Sequence, residues 1–103
     1  MFSNELTPAE SERLALLSEE MGEAIQVIGK ILRHGYESTG PKTIVRNRTS
    51  LEKELGDVRL AISLMVDNGD LSSVNLNDFE EDKRRRVGQY LHHNTLTPNE
   101  ATE

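Results

Sequence analysis

Apolar residues recur along the first third of the chain at Leu14, Leu17, Met21, Ala24, Ile25, Ile28, Ile31 and Leu32, the spacing of one helix face. Just upstream, Thr7-Pro8-Ala9-Glu10 predicts the helix start. The Thr7 hydroxyl can accept from the Glu10 amide, Glu10 can reach back, and proline at the first helical position forfeits no hydrogen bond. Gly35 predicts the end, with Arg33 and His34 in the last turn, where positive charge suits the helix dipole. Gly22 and Gly29 lie inside this helix. Each costs about 1 kcal/mol relative to Ala, which close approach of another helix would explain.

Residues 34–48 break every period, with Gly35 and Gly40-Pro41, and predict a long connection. A second stripe, Leu51, Leu55, Val58, Ile62 and Met65, predicts a helix that opens at Thr49, with Glu52 completing a capping box, and closes at Asn68-Gly69. After a short loop over 70–76, a weaker stripe of Phe79, Val87, Tyr90 and Leu91 predicts a third helix from about Asn77. No alternating run is long enough for a strand. The expected fold class is all-α: a helical hairpin plus a shorter third helix, in one domain over 1–93, with a disordered tail over 94–103. Leu60, Leu64 and Val66 lie off the main stripe of the second helix. They widen its apolar face and predict packing against another subunit, an oligomeric helical bundle.

The chain has 103 residues, the length of one small domain, and no Cys, which excludes a disulfide framework and any thiolate-held metal. No apolar run approaches membrane-spanning length, and Met1-Phe2-Ser3-Asn4-Glu5 lacks the basic-then-apolar order of a signal peptide. The expected compartment is therefore the cytoplasm. A net charge of -6 argues against nonspecific nucleic-acid binding. The charge is also segregated. Residues 1–29 carry six acids against Arg13 alone, whereas 30–48 carry Lys30, Arg33, Lys42, Arg46 and Arg48 against Glu37 alone. Residues 49–82 are acidic again, with nine acids against Lys53 and Arg59. Two acidic segments flanking a basic connection suit a site that holds a cation on one side and phosphates on the other.

The candidate chemistry rests on two carboxylate pairs, Glu20 with Glu23 and Glu54 with Asp57. A spacing of three puts both members of a pair on one helix face. The neighbours there are apolar: Leu16, Ala24 and Val27 beside the first pair, Val58, Ala61 and Leu64 beside the second. In an antiparallel hairpin the four carboxylates converge. Crowded like charges raise one another's pKa or push the helices apart, unless a divalent cation sits among them. All-oxygen ligands suit hard cations, Mg²⁺ first and Mn²⁺ as a substitute, and Mg²⁺ commonly takes up phosphate oxygens. The same spacing also occurs on solvated acidic faces. Lys83-Arg84-Arg85-Arg86 follows Glu80-Glu81-Asp82 at a separation of four, which predicts a salt-bridged surface helix rather than a nucleic-acid contact. His92-His93 point to different faces and do not make a metal clip.

Glu19-Glu20-Met21-Gly22-Glu23 and, after thirty residues, Glu54-Leu55-Gly56-Asp57 resemble the paired Glu-Glu-x-x-Glu and Glu-x-x-Asp motif of the MazG-like family of all-α nucleotide pyrophosphohydrolases. The resemblance covers roughly residues 14–70. It implies Mg²⁺ held by Glu20, Glu23, Glu54 and Asp57, with catalytic roles for Glu19, Glu20 and Glu23 in orienting water. It also implies cleavage of a nucleoside triphosphate between the α and β phosphates, in homodimers or homotetramers. Lys30, Lys42, Arg46, Asn47 and Arg48 are the expected substrate-binding residues. The position that carries an aromatic in some members, one turn after the motif aspartate, is Ala61. Two alternatives remain at this point: a phosphoribosyl-ATP pyrophosphatase of the same superfamily, or a helical module that binds nucleotide or protein without turnover.

Overall fold

Thr7 closes the capping box that its sequence predicts: its hydroxyl accepts from the Glu10 amide at 3.1 Å, and its own amide donates to the Glu10 carboxylate at 2.8 Å. From that cap runs α1 (Pro8–His34). The structure, a computed structural model, describes residues 3–94; there it is all-helical, with α2 (Asn47–Asp67), α3 (Ser73–Arg86) and a single 3-10 turn (Val87–Gln89). The described residues contain no strand, only an isolated antiparallel bridge between Thr39 and Arg46. None of the described helices is long and apolar enough to cross a membrane. The tail expected over 94–103 lies, from residue 95 onward, outside the described residues.

The chain divides into two compact units, residues 1–70 and 71–103. The first is the hairpin of α1 and α2. Gly35 ends α1 at φ 89° and ψ 166°, a conformation open essentially to glycine alone, and its amide donates to Ile31 O at 2.7 Å. At the far end of α2, Gly69 adopts φ 80°; its amide reaches Val66 O and that of Asp70 reaches Met65 O, the paired bonds of a Schellman cap.

α2 begins two residues before the expected Thr49, at Asn47, and its N-cap Arg46 makes no side-chain cap. Backbone from the connection does that work instead. The Asn47 amide donates to Ser38 O and the Arg48 amide to Tyr36 O, both at 2.8 Å. Two donors that every helix start leaves orphaned are thereby satisfied. The buried Asn47 side chain donates to Gly35 O at 3.1 Å, and Thr43 Oγ accepts from the Val45 amide. The 35–46 connection is thus a hydrogen-bonded hairpin rather than a solvated coil.

The hairpin interior is narrow. Ala24 and Val27 of α1 and Ala61 and Met65 of α2 are its four buried apolar side chains among the described residues. Two alanines let the helix backbones approach closely. Most of the long apolar stripe read from the sequence of α1 does not face α2: Leu14, Met21, Ile25, Ile28 and Leu32 are exposed, Leu32 at 82%. Leu60 of α2 is exposed as well. Gly22 has no described neighbour within 4 Å of where a Cβ would stand, so close packing within the chain does not explain it.

Arg13 and Asp70 tie the open end of the hairpin, with Nε to Oδ2 at 2.6 Å and Nη2 to Oδ1 at 2.9 Å across 57 residues of sequence. That bond from Arg13 holds the Asp70 carboxyl below its ordinary range.

In the second unit α3 starts four residues before the expected Asn77. Ser72 offers an earlier cap, accepting from the Asn75 amide at 3.2 Å. Its basic run is paired along the helix: Glu80 with Arg84, Asp82 with Arg86, and, instead of the expected Glu81–Arg85 pair, Glu81 with Arg84 and Asp82 with Arg85.

Candidate functional site

Glu20 and Glu23 stand one turn apart on α1, and Glu54 and Asp57 one turn apart on α2, near the buried Ala24 and Ala61. The four carboxylates converge. Each offers an oxygen, and the four oxygens lie within 4.8 Å of one another. All four residues are half-buried. Glu20 Oε2 and Glu54 Oε2 are shut off from solvent without a hydrogen-bond partner. A buried acceptor left without a partner is costly, so the cluster carries an unmet demand for positive charge.

The close approach of Glu23 is the main influence raising the Glu54 carboxyl above its ordinary range. Burial and the neighbouring acids push the same way, and Lys53 opposes them. Lys53 Nζ lies 2.9 Å from Asp57 Oδ2 and 3.7 Å from Glu54 Oε1. Its ammonium is held above the ordinary lysine range, first by the bond to Asp57.

The donor set fits a divalent cation in chemistry and in size. Opposite oxygens around Mg²⁺ stand about 4.2 Å apart and around Ca²⁺ about 4.8 Å, twice the usual metal–oxygen distances. Oxygens already within 4.8 Å need little movement to enclose such an ion.

A groove of about 840 Å³ opens from one side of this cluster, between the second half of α1, the 35–46 connection and the start of α2. That volume suits a small-molecule ligand. Glu23 and Glu54 belong both to the acidic cluster and to the groove wall. Beyond them, Gln26, Val27, Lys30, Arg33 and His34 continue along the same wall. At 1.5 Å per residue, Lys30 stands about 10 Å along the helix from Glu23, and Arg33 about 15 Å. The groove therefore runs from an anionic end to a cationic one.

Of the expected substrate-side residues, Lys30 and Asn47 line the groove. Asn47 has its amide nitrogen committed to Gly35 O. Lys42, Arg46 and Arg48 are not part of the wall. Arg46 and Arg48 both grip Glu37, at 3.3 and 2.8 Å, and Arg48 lies over the Tyr36 ring, 4.4 Å from its centre. Arg48 in turn holds the Glu37 carboxyl below its usual range. Glu19 is exposed beside the cluster and is not one of its four members. Sequence reasoning missed Arg33, His34, Gln26 and Lys53. The signal for the first three was the spacing Glu23, Gln26, Val27, Lys30, Arg33, His34, which carries one helix face from acid to base. Lys53 was legible as the residue four before Asp57.

No family model matches the chain, and no curated protein or solved structure matches it.

Proposed function

We propose that the chain is a MazG-like, Mg²⁺-dependent nucleoside triphosphate pyrophosphohydrolase that cleaves between the α and β phosphates. One observation carries this reading: Glu23 and Glu54 belong at once to a four-carboxylate cluster and to a groove whose far wall is basic. An ion held at the cluster and phosphates laid toward Lys30 would meet in that groove. The orphaned oxygens of Glu20 and Glu54 and the all-oxygen donor set favour a hard cation over an empty acidic face. The paired motif, with its resemblance to the MazG-like family, points the same way.

In this reading Glu20, Glu23, Glu54 and Asp57 hold the ion. When bound, a divalent cation neutralises phosphate charge and makes a coordinated water a better nucleophile. Glu20 and Glu23 orient the attacking water, with Glu19 beside them. The water oxygen bonds to the α phosphorus, the bridging oxygen leaves with the β phosphate, and the proton passes to solvent through a carboxylate. Lys30 and Arg33 meet the charge of the departing pyrophosphate. Self-association belongs to the same proposal. Four buried apolar side chains are a thin core for such a hairpin, while Leu14, Met21, Ile25, Ile28 and Leu32 stay uncovered. A homodimer or homotetramer that buries this stripe supplies the missing core.

The test is a panel of ribo- and deoxyribonucleoside triphosphates plus phosphoribosyl-ATP, assayed for pyrophosphate with Mg²⁺ and with chelator. The expected result is Mg²⁺-dependent pyrophosphate release from triphosphates. Release from phosphoribosyl-ATP alone moves the substrate to that compound. Binding without any release replaces the enzyme with a nucleotide-binding module.

A further inference from the structure

We infer that Lys53 is a tethered counter-cation of the acidic cluster, one that a divalent ion displaces and that then turns to the phosphates in the groove. The inference rests on the metal-site reading above and adds a positioning residue to it.

Lys53 occupies an unusual place among the cations of the hairpin. Arg13, Arg46 and Arg48 are paired to acids outside the cluster. Lys30 and Arg33 line the groove beyond the cluster. Among the described residues Lys53 is the cation paired with cluster members, Asp57 at 2.9 Å and Glu54 at 3.7 Å, and it also lines the groove. Its side chain is 67% exposed, so nothing packs it into this position; charge holds it there.

That contact cannot survive metal binding unchanged. The Asp57 and Glu54 oxygens that Lys53 approaches belong to residues that must turn to the ion. A divalent ion within about 2–2.5 Å of them would also stand close to the ammonium, and like charges repel. Lysine suits an exchange of this kind, because its charge is a compact point on a flexible four-carbon stem. Lys53 already forms part of the groove wall. Once released, Lys53 finds its nearest new anion in the phosphate chain of a bound substrate or in pyrophosphate.

Two consequences follow. Without phosphate, Lys53 competes with the divalent ion and weakens its binding. With phosphate present, the displaced ammonium has a partner, so ion and phosphate favour each other's binding.

Calorimetric titration of the metal-free chain with Mn²⁺, with and without pyrophosphate, tests this in the wild type, Lys53→Met and Lys53→Arg. The expected result is that Lys53→Met binds Mn²⁺ roughly twofold to fivefold more tightly without pyrophosphate, the scale of an exposed ion pair. The same variant loses part of the gain in Mn²⁺ affinity that pyrophosphate confers, and Lys53→Arg restores it. A lysine with a merely structural role would leave metal affinity untouched or lower it. Equal or weaker Mn²⁺ binding by Lys53→Met, or an undiminished pyrophosphate effect, overturns the inference while the metal site stands. Failure of the wild type to bind Mn²⁺ overturns both.

Discussion

Glu23 of α1 and Glu54 of α2 bring their carboxylate oxygens within 4.8 Å of each other across the hairpin, and that pairing, more than burial, keeps the Glu54 carboxyl above its ordinary range. The metal-free site is therefore held together at a cost that a neutral partner would remove. Glu54→Gln should raise the melting temperature of the metal-free chain by a few degrees. It should also abolish the further rise that Mg²⁺ or Mn²⁺ gives the wild type, along with pyrophosphate release. Thermal unfolding with and without metal reads all of this, and a variant still stabilised by metal removes Glu54 from the ligand set.

The Arg13–Asp70 tie gives a pH dependence of definite sign. Asp70 is depressed in the folded chain, so its contribution is fully present above the ordinary value of 3.8 and is lost as pH falls through the lower folded value. Asp70→Asn should therefore lower the melting temperature at neutral pH. The difference from wild type should begin to shrink below pH 3.8 and vanish only once pH has passed the lower folded value, within the acid range where both still fold. A gap that persists unchanged in acid would show that the Asn variant loses something other than the ion pair.

Ile25, 67% exposed in the single chain, sits in the middle of the uncovered stripe of α1. Ile25→Glu should cost the isolated hairpin little and should break self-association. Sedimentation should give the wild type the mass of a dimer or tetramer and the variant the mass of one chain. A monomeric wild type, or a variant of undiminished mass, puts the interface elsewhere.

Lys30 faces the groove, whereas Arg46 is spent on Glu37. Lys30→Ala should raise the KM for nucleoside triphosphate roughly tenfold or more, the scale of a lost charge-assisted hydrogen bond, while Arg46→Ala should change it little. Steady-state kinetics on both variants checks the assignment, and the reverse order would place the phosphates along the connection instead.

Features governed by near neighbours were legible in the sequence. The Thr7–Glu10 box, the Gly35 stop and the Asn68-Gly69 cap all act within a few residues, and all stand where they were expected. The convergence of Glu20, Glu23, Glu54 and Asp57 was legible too, because a spacing of three on each of two paired helices leaves little freedom. What escaped depends on contacts distant in sequence. The start of α2 is set by carbonyls of Tyr36 and Ser38, which no capping pattern at Thr49 could reveal. The periodicity of α1 shows that a face is apolar without saying what covers it, and α2 covers chiefly the Ala24 and Val27 side. Glu37 draws Arg46 and Arg48 away from the groove, and that fold of the connection has no periodic signature.

The central claim is that the four carboxylates hold a divalent ion between α1 and α2. Mn²⁺ titration followed by electron paramagnetic resonance tests it most directly, since the free-ion signal fades as the ion is bound. The account predicts stoichiometric uptake by the wild type and none by Glu20→Gln or Asp57→Asn, with helicity unchanged by circular dichroism. A wild type that leaves the Mn²⁺ signal at full strength, or variants that take up the ion as well as it does, would contradict the account.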